Sequence, residues 1–390
     1  MSGVPMLMRI PYISPLPPPR IIPATARPLA GAIASLVDFL VAPLEKDTAA
    51  AETRRNGKTV LLTGAGISVA SGLADYRGTN GTYTLNKTYR PIYYSEFLAN
   101  HEARKRYWAR SFLGWTNLAN AKPNGAHEAV RRLGELGILS RVITQNVDSF
   151  HPHAHPALPT TELHGTLAQV HCTTCKTPYP RDAFQSQLEA LNPSWADMLR
   201  HLIESGALST EDPHERAERG LRTNPDGDLE LKGVKYTTFR YPPCPACLQK
   251  PPPGETVLVD ADGASQAGST AGVLKPAVVM FGENVNAAVK AEAEEAIDTA
   301  SRLLVVGSSL ATYSAWRLAK RAKDRGLALG MLNLGGVRGE DEFFLDVTPE
   351  NTGRQAVRIE IDALQVLPGA VKAIEELKRI HITGNEVRRQ

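Results

Sequence analysis

Thr63-Gly64-Ala65-Gly66-Ile67-Ser68 closes the short apolar run that begins at Thr59, and this passage from strand-like residues into a glycine-rich turn decides how the chain is read. A buried strand followed by small residues is the order of nucleotide-binding α/β folds. Backbone N–H groups can then approach a pyrophosphate, and the next helix adds its positive N-terminal dipole. The spacing departs from the G-x-G-x-x-G of hydride-transferring dehydrogenases, because Val69 stands where the third glycine is needed. Taken alone, the turn also fits plain strand-to-helix geometry.

Working outward, a second strand is expected at Arg141 to Thr144, followed at once by Gln145-Asn146-Val147-Asp148. Further strands are expected at Ala277 to Phe281, Leu303 to Gly307 and Leu329 to Leu334, separated by helical patterns at Ala287 to Ala300 and Ser314 to Arg325. Strands alternating with helices predict a parallel sheet covered on both faces. Between the two sets lies a different texture: all four cysteines, an acidic and glycine-punctuated stretch from Glu204 to Gly233, and a Pro/Gly-rich loop from Pro251 to Gly272. It reads as an insertion carrying its own small domain.

Composition narrows the function classes. The 390 residues carry 44 basic and 41 acidic side chains, a net charge of +3 that is too mild for a nucleic-acid footprint. The acidic run from Glu204 to Glu218 also argues against a nucleic-acid-binding zinc finger. The longest apolar stretch, Leu29 to Leu44, is interrupted by Asp38 and Pro43, so no membrane span and no membrane partner are expected. Residues 1 to 37 contain Arg9, Arg20 and Arg27 but no acidic residue, the bias of an organellar transit peptide; a disordered Pro-rich extension is the alternative.

Cys172, Cys175, Cys244 and Cys247 form two C-x-x-C pairs with none left over, which favours Zn²⁺ over a disulfide framework. The pairs stand 68 residues apart (176 to 243), so spacing alone does not bring them together. Among the ten histidines, His164 follows Leu163 and precedes Gly165 just ahead of the first cysteine pair. His151, His153 and His155 alternate, but Pro152 and Pro156 break any strand that would align them on a metal, and a loop without metal is expected there.

The run Gly64-Ala65-Gly66-Ile67-Ser68-Val69-Ala70-Ser71-Gly72-Leu73-Ala74-Asp75-Tyr76-Arg77-Gly78 resembles the signature of the sirtuins. So do Thr144-Gln145-Asn146-Val147-Asp148, Leu163-His164-Gly165, Phe281-Gly282-Glu283, Gly307-Ser308-Ser309-Leu310 and Asn333, in the family's order, over roughly residues 55 to 345. The texture around Arg106 to Arg110, Pro225 to Asp228 and Tyr313-Ser314 is most similar to the mitochondrial class II, sirtuin-4-like members. Ala74 departs from the proline usual in the signature, which would loosen the cofactor loop and puts turnover and affinity in question more than reaction type.

The resemblance implies an α/β fold: a Rossmann-like doubly wound parallel sheet with an inserted small zinc-binding domain. The expected boundaries are 1–50 for the extension or transit peptide, 51–165 and 273–390 for the two parts of the NAD-binding domain with its C-terminal tail, and 166–272 for the zinc module with its loops. It brings the four cysteines onto one structural Zn²⁺, and it implies NAD as co-substrate and acyl-lysine proteins as partners. The implied reaction is NAD-dependent deacylation, in which the acyl group passes from lysine to ADP-ribose with release of nicotinamide.

By the same resemblance His164 is the general base, assisted by Asn146 and Asp148. NAD falls to Gly64, Ala65, Gly66, Ser68, Asp75, Tyr76, Arg77, Gln145, Asn146, Asp148, Gly307, Ser308, Ser309 and Asn333. His151 belongs to the architecture of the pocket. Tyr107 and Arg110, in a Y-x-x-R pattern also found in acidic-acyl-selective sirtuins, are expected to bind substrate; the plain alternative is two neighbours on one helix face. A mitochondrial matrix location is expected, with cytoplasm or nucleus as the alternative. Protein ADP-ribosyltransfer is the competing activity, and a non-catalytic NAD-sensing scaffold a second. Oligomeric state is not addressed by the sequence.

Overall fold

The computed structural model describes residues 12, 14–43, 58–85, 89–209, 213–224, 227–350 and 352–387. Its strands are β1 (Thr59–Thr63), β2 (Leu139–Thr144), β3 (Thr160–Glu162), β4 (Gly165–Cys172), β5 (Pro178–Pro180), β6 (Leu221–Thr223), β7 (Leu229–Leu231), β8 (Leu274–Val278), β9 (Arg302–Val306), β10 (Ala328–Leu332) and β11 (Ala356–Ile359). Six of them form one parallel sheet in the order β11-β10-β9-β1-β2-β3.

Strand β1 is buried along its whole length because both faces of the sheet are covered. Leu61 faces a core completed by the helices Leu29–Val41 and Gly125–Glu135, whereas Val60 and Leu62 face one completed by Ala287–Thr299 and Tyr313–Asp324. That alternation is the period of two expected of a strand sandwiched between helix layers. From β1 the chain proceeds to β2 and β3 on one side, then returns through β9 to β10 and β11 on the other. The order therefore reverses between β1 and β9, and the crevice beyond their carboxyl ends is where an open α/β sheet takes its ligand.

A second unit stands beside this sheet. Strands β5, β4 and β8 form a three-stranded antiparallel sheet, and β6 pairs with β7 in a hairpin. The strand expected at Ala277 to Phe281 is thus displaced: it runs from Leu274 to Val278 and pairs with β4 in the small sheet, outside the large one. Its apolar run satisfies either sheet, so composition did not distinguish them.

The small unit also draws on residues assigned to the first part of the large domain. Helix His101–Asn120, capped by Asn100, packs Tyr107, Trp108 and Phe112 into a cluster with Phe184, Trp195 and the buried cysteines. Of the segment 1–50 expected as an extension, residues 1–11, 13 and 44–50 lie outside the described residues. The rest contributes to the fold: Ala32, Leu36 and Phe39 are fully buried, and Ile22 bridges Arg358 of the sheet edge. A helix with a continuous apolar face is indistinguishable from a leader segment until its partner helix, Ala363–Val387, is placed against it.

Candidate active site

The carboxyl ends of β1 and β9 meet backbone to backbone. Gly66 donates its N–H to the Gly307 carbonyl at 2.9 Å. A Cβ on Gly66 would lie 2.8 Å from Gly307 Cα, and one on Gly64 would lie 2.8 Å from Gly307 O. Gly307 itself has φ +61°, and a Cβ there would sit 2.4 Å from the Ile67 nitrogen. Glycine is required at these positions because each backbone occupies the space a side chain would need.

Above this contact opens a cavity of about 780 Å³, within the range of small-molecule and cofactor sites. Every residue expected at a catalytic, NAD-binding or acyl-binding position lines it, from Gly64 and Arg77 through Asn146 and His164 to Ser308 and Asn333. Tyr107 and Arg110 share its wall.

Two polar networks order the cavity floor. Ser68 Oγ donates to Asp148 Oδ2 at 2.7 Å and accepts from Asn146 Nδ2 at 3.1 Å, so the glycine loop and the segment after β2 are tied together. Burial pushes the Asp148 carboxyl above its usual range, opposed by the Phe150 N–H and the Ser68 hydroxyl. Gln145 Nε2 donates to Ser308 Oγ at 2.7 Å while its Oε1 accepts from Thr312 at 2.9 Å, which joins β2 to the loop after β9.

His164 is fully buried between these networks. Its Nδ1 lies 3.0 Å from the Gln145 carbonyl and its Nε2 lies 2.7 Å from Ser314 Oγ. A carbonyl only accepts, so Nδ1 carries the hydrogen and Nε2 holds the lone pair, with Ser314 as its donor. Burial drives the imidazole pKa down to about 4, partly offset by the Gln145 carbonyl, so the ring is neutral at physiological pH.

At the outer end, Asp75 Oδ1 caps the Gly78 N–H at 3.0 Å, and Arg77 lies over the Tyr83 ring and donates to the Tyr12 carbonyl at 3.2 Å. Asn333 turns its amide onto the carbonyls of Leu334 and Gly335 at the end of β10. His151 does not line the cavity. It lies behind it, fully buried, bonded to Thr63 Oγ1 at 2.9 Å and to His155 Nε2 at 2.8 Å, so its part in the pocket is indirect.

Arg110 does not present an open cation. Its Nη2 is ion-paired with Asp228 Oδ2 at 2.6 Å, both side chains being buried. Burial would depress its pKa, but Asp228 outweighs this and holds the guanidinium above its ordinary range. Ser314, Thr312 and Asp228 went unassigned in the sequence because each lies far along the chain from the group it contacts.

The four cysteine sulfurs lie within 4.8 Å of one another, with Cys172 and Cys247 3.6 Å apart and Cys175 and Cys244 likewise 3.6 Å apart. Those separations are too long for a disulfide. They match the spacing of about 3.8 Å between sulfurs held tetrahedrally at about 2.3 Å from Zn²⁺. The donor set fits one structural zinc.

A sequence profile described as the Sir2 family matches residues 64–314. The chain is 41% identical over 330 residues to a Batrachochytrium dendrobatidis protein named NAD-dependent protein deacylase SIR4, spanning 84% of this chain and 92% of that one. It is 36% identical to the Arabidopsis thaliana NAD-dependent protein deacylase SRT2, over 74% of this chain and 68% of the relative. A Sir2 variant solved with a deacetylated p53 peptide and 3′-O-acetyl ADP-ribose superposes with a TM-score of 0.52 at 22% identity, over 85% of this chain and 98% of that one, a likeness of fold. By profile and identity over most of its length, the chain belongs to the Sir2 family.

Proposed function

We infer that this protein is an NAD-dependent protein-lysine deacylase. The observation that carries the reading is His164: a buried neutral base, with its tautomer fixed by Gln145, in the same cavity as the glycine contact between β1 and β9. Its relatives are named deacylases and deacetylases that depend on NAD.

The cavity suits a dinucleotide. The Gly64–Ser68 loop offers backbone N–H groups, and Arg77 a cation, to a pyrophosphate. Gln145, Ser308 and Asn333 supply polar groups at strand ends for the ribose and adenosine portions. Bound NAD supplies an electrophilic ribose carbon that accepts the acyl oxygen as nicotinamide departs. Asn146 and Asp148, held by Ser68, orient the carboxamide and ribose at that carbon. The Nε2 lone pair of His164 removes a proton from a ribose hydroxyl, a role open to it because burial keeps the ring neutral. One Zn²⁺ on the four cysteines holds the small unit; a four-thiolate site has no open position for substrate.

Incubation with NAD and acyl-lysine peptides, followed by mass spectrometry, tests the reading: O-acyl-ADP-ribose, nicotinamide and free lysine should appear together. ADP-ribosylated protein without deacylated peptide would replace it by the transferase reading.

We also propose a mitochondrial matrix location, supported by the acid-free residues 1 to 37. The buried Ala32 and Leu36 set a limit on processing, since removal through residue 37 would strip them from the core. N-terminal sequencing of the protein from fractionated cells tests this, and a mature terminus beyond Ala32 would contradict it.

A further inference from the structure

Pro15-Leu16-Pro17-Pro18-Pro19 runs ahead of the large sheet without helix or strand. Its prolines fix φ near about −65° and remove backbone donors, so the segment is stiff and is held in place at little entropic cost. It is tied down on both sides. The Arg20 N–H donates to Glu340 Oε1 at 2.8 Å, and Arg20 Nη1 donates to the Phe344 carbonyl at 3.2 Å. On the other side, the Arg338 guanidinium lies over both the Tyr12 and the Trp316 rings, 4.7 Å from each centroid. The Tyr12 carbonyl accepts from Arg77 Nη2 at 3.2 Å. Between these anchors, a Cβ on Gly336 would lie 2.0 Å from the Pro17 carbonyl oxygen, so the segment rests directly on the chain leaving β10.

This strap borders the cofactor cavity. Leu16 is partly exposed and lines it, together with Leu334, Gly336 and Ile361 beyond the ends of β10 and β11. Leu334 is 58% exposed there, and its neighbour Asn333 adds a polar group. Apolar carbons offered to one cavity by separate segments, with a polar group between strand ends, suit a flat ligand whose faces are apolar and whose edge is polar. A purine base has that character, and the crevice beyond the strand ends is where a dinucleotide lies. The cavity keeps its volume of about 780 Å³ with the strap in place, so the strap walls it without filling it.

We propose that residues 12 and 14–20 form part of the cofactor site, with Leu16 packing on the adenine of NAD and the Tyr12 carbonyl holding Arg77 toward the pyrophosphate. The proposal rests on the NAD-dependent reading for the identity of the ligand. It deepens that reading by giving one wall of the site to a segment that precedes the family-matched residues 64–314.

The test uses the full chain and ADP-ribose, which keeps the adenosine and pyrophosphate of NAD but has no nicotinamide to lose. By calorimetry, Leu16→Ala should weaken ADP-ribose binding at least about fivefold, because apolar area against the base is lost. The free variant should melt with the unmodified protein, since Leu16 belongs to none of the apolar cores. In the unmodified protein, saturating ADP-ribose should slow hydrogen exchange at the Leu16 amide, the one N–H between Pro15 and Arg20. Unchanged or tighter binding by Leu16→Ala would overturn the proposal. Exchange that is unchanged or faster would overturn it too, since the ligand would then ignore or displace the strap. Should Leu16→Ala melt early, the exchange measurement decides alone. ADP-ribose that binds neither protein would sink the cofactor reading and this proposal with it. Weakened binding in Leu16→Ala, without turnover of any acyl peptide by the unmodified protein, would sink the deacylase reading and leave the strap standing.

Discussion

His164 Nε2 and Ser314 Oγ lie 2.7 Å apart, and the serine hydroxyl donates to the lone pair that removes the proton in the proposed reaction. A hydrogen bond to the neutral form disfavours protonation, so Ser314 and burial act in the same direction on the imidazole. Ser314→Ala should therefore move the acid limb of the kcat/KM profile to higher pH, while the rate above pH 7 changes less. Profiles measured from pH 3.5 to 8 on both proteins check this, because a pKa of about 4 sets the acid limb below pH 5, and coincident limbs would show that Ser314 does not engage the base during turnover.

Buried neutral histidines also tie stability to pH. His127 is driven down to about 4 by burial, with His155 adding to the effect, and its Nδ1 accepts from the Asn124 N–H as part of a helix cap. The unfolded chain binds a proton near pH 6.5 that the folded form refuses, so this contribution is complete above about pH 6.5 and drains as pH falls toward 4. His127→Gln keeps an acceptor for the cap and removes the titration. The stability difference between the two proteins should change by about 1.4 kcal/mol per pH unit below 6.5, in favour of the glutamine variant. Urea melts at pH 7, 6 and 5 measure it, and a constant difference would refute the assignment.

Zinc removal should unfold the small unit first. Cys172, Cys244 and Cys247 are buried in the same cluster as Trp108, Phe184 and Trp195, so losing the metal leaves thiols in an apolar core with nothing joining the two C-x-x-C turns. Elemental analysis should give one zinc per chain. Chelation or Cys244→Ser should lower the melting temperature and change tryptophan fluorescence; a melt indifferent to chelator would contradict a structural metal.

Gly66→Ala should be costly for a reason independent of catalysis. Its Cβ would meet Gly307 Cα and O at 2.8 and 2.9 Å, and backbone atoms of a buried strand end have nowhere to retreat. A loss of NAD affinity of at least about tenfold, with a lowered melting temperature, is expected by calorimetry and thermal melts. Unchanged affinity would mean that the β1–β9 contact does not shape the cofactor site.

Much of this site was legible because its chemistry lies in contiguous stretches. The Gly64–Gly78 run and the Gln145–Asp148 block each follow one strand end, and the resemblance to the sirtuins assigned them, with His164, to one site; the structure places all three around one cavity. Contacts between distant segments were not legible. Ser314 reaches His164 across 150 positions, and Asp228 reaches Arg110 from a hairpin whose acidic, glycine-punctuated sequence read only as part of an inserted small domain. The helix Leu29–Val41 was hidden for a related reason: an apolar stretch ahead of the first strand does not reveal whether a partner helix awaits it. The displacement of β8 into the small sheet shows the same limit, since hydrophobicity reports burial and says nothing of which sheet provides it.

The most direct test of the central claim is mass spectrometry of the products formed from NAD and acyl-lysine peptides by the unmodified protein and by His164→Ala. The account predicts nicotinamide, deacylated peptide and O-acyl-ADP-ribose in equal amounts, reduced at least about a hundredfold in the variant. Equal product formation by both proteins would contradict it.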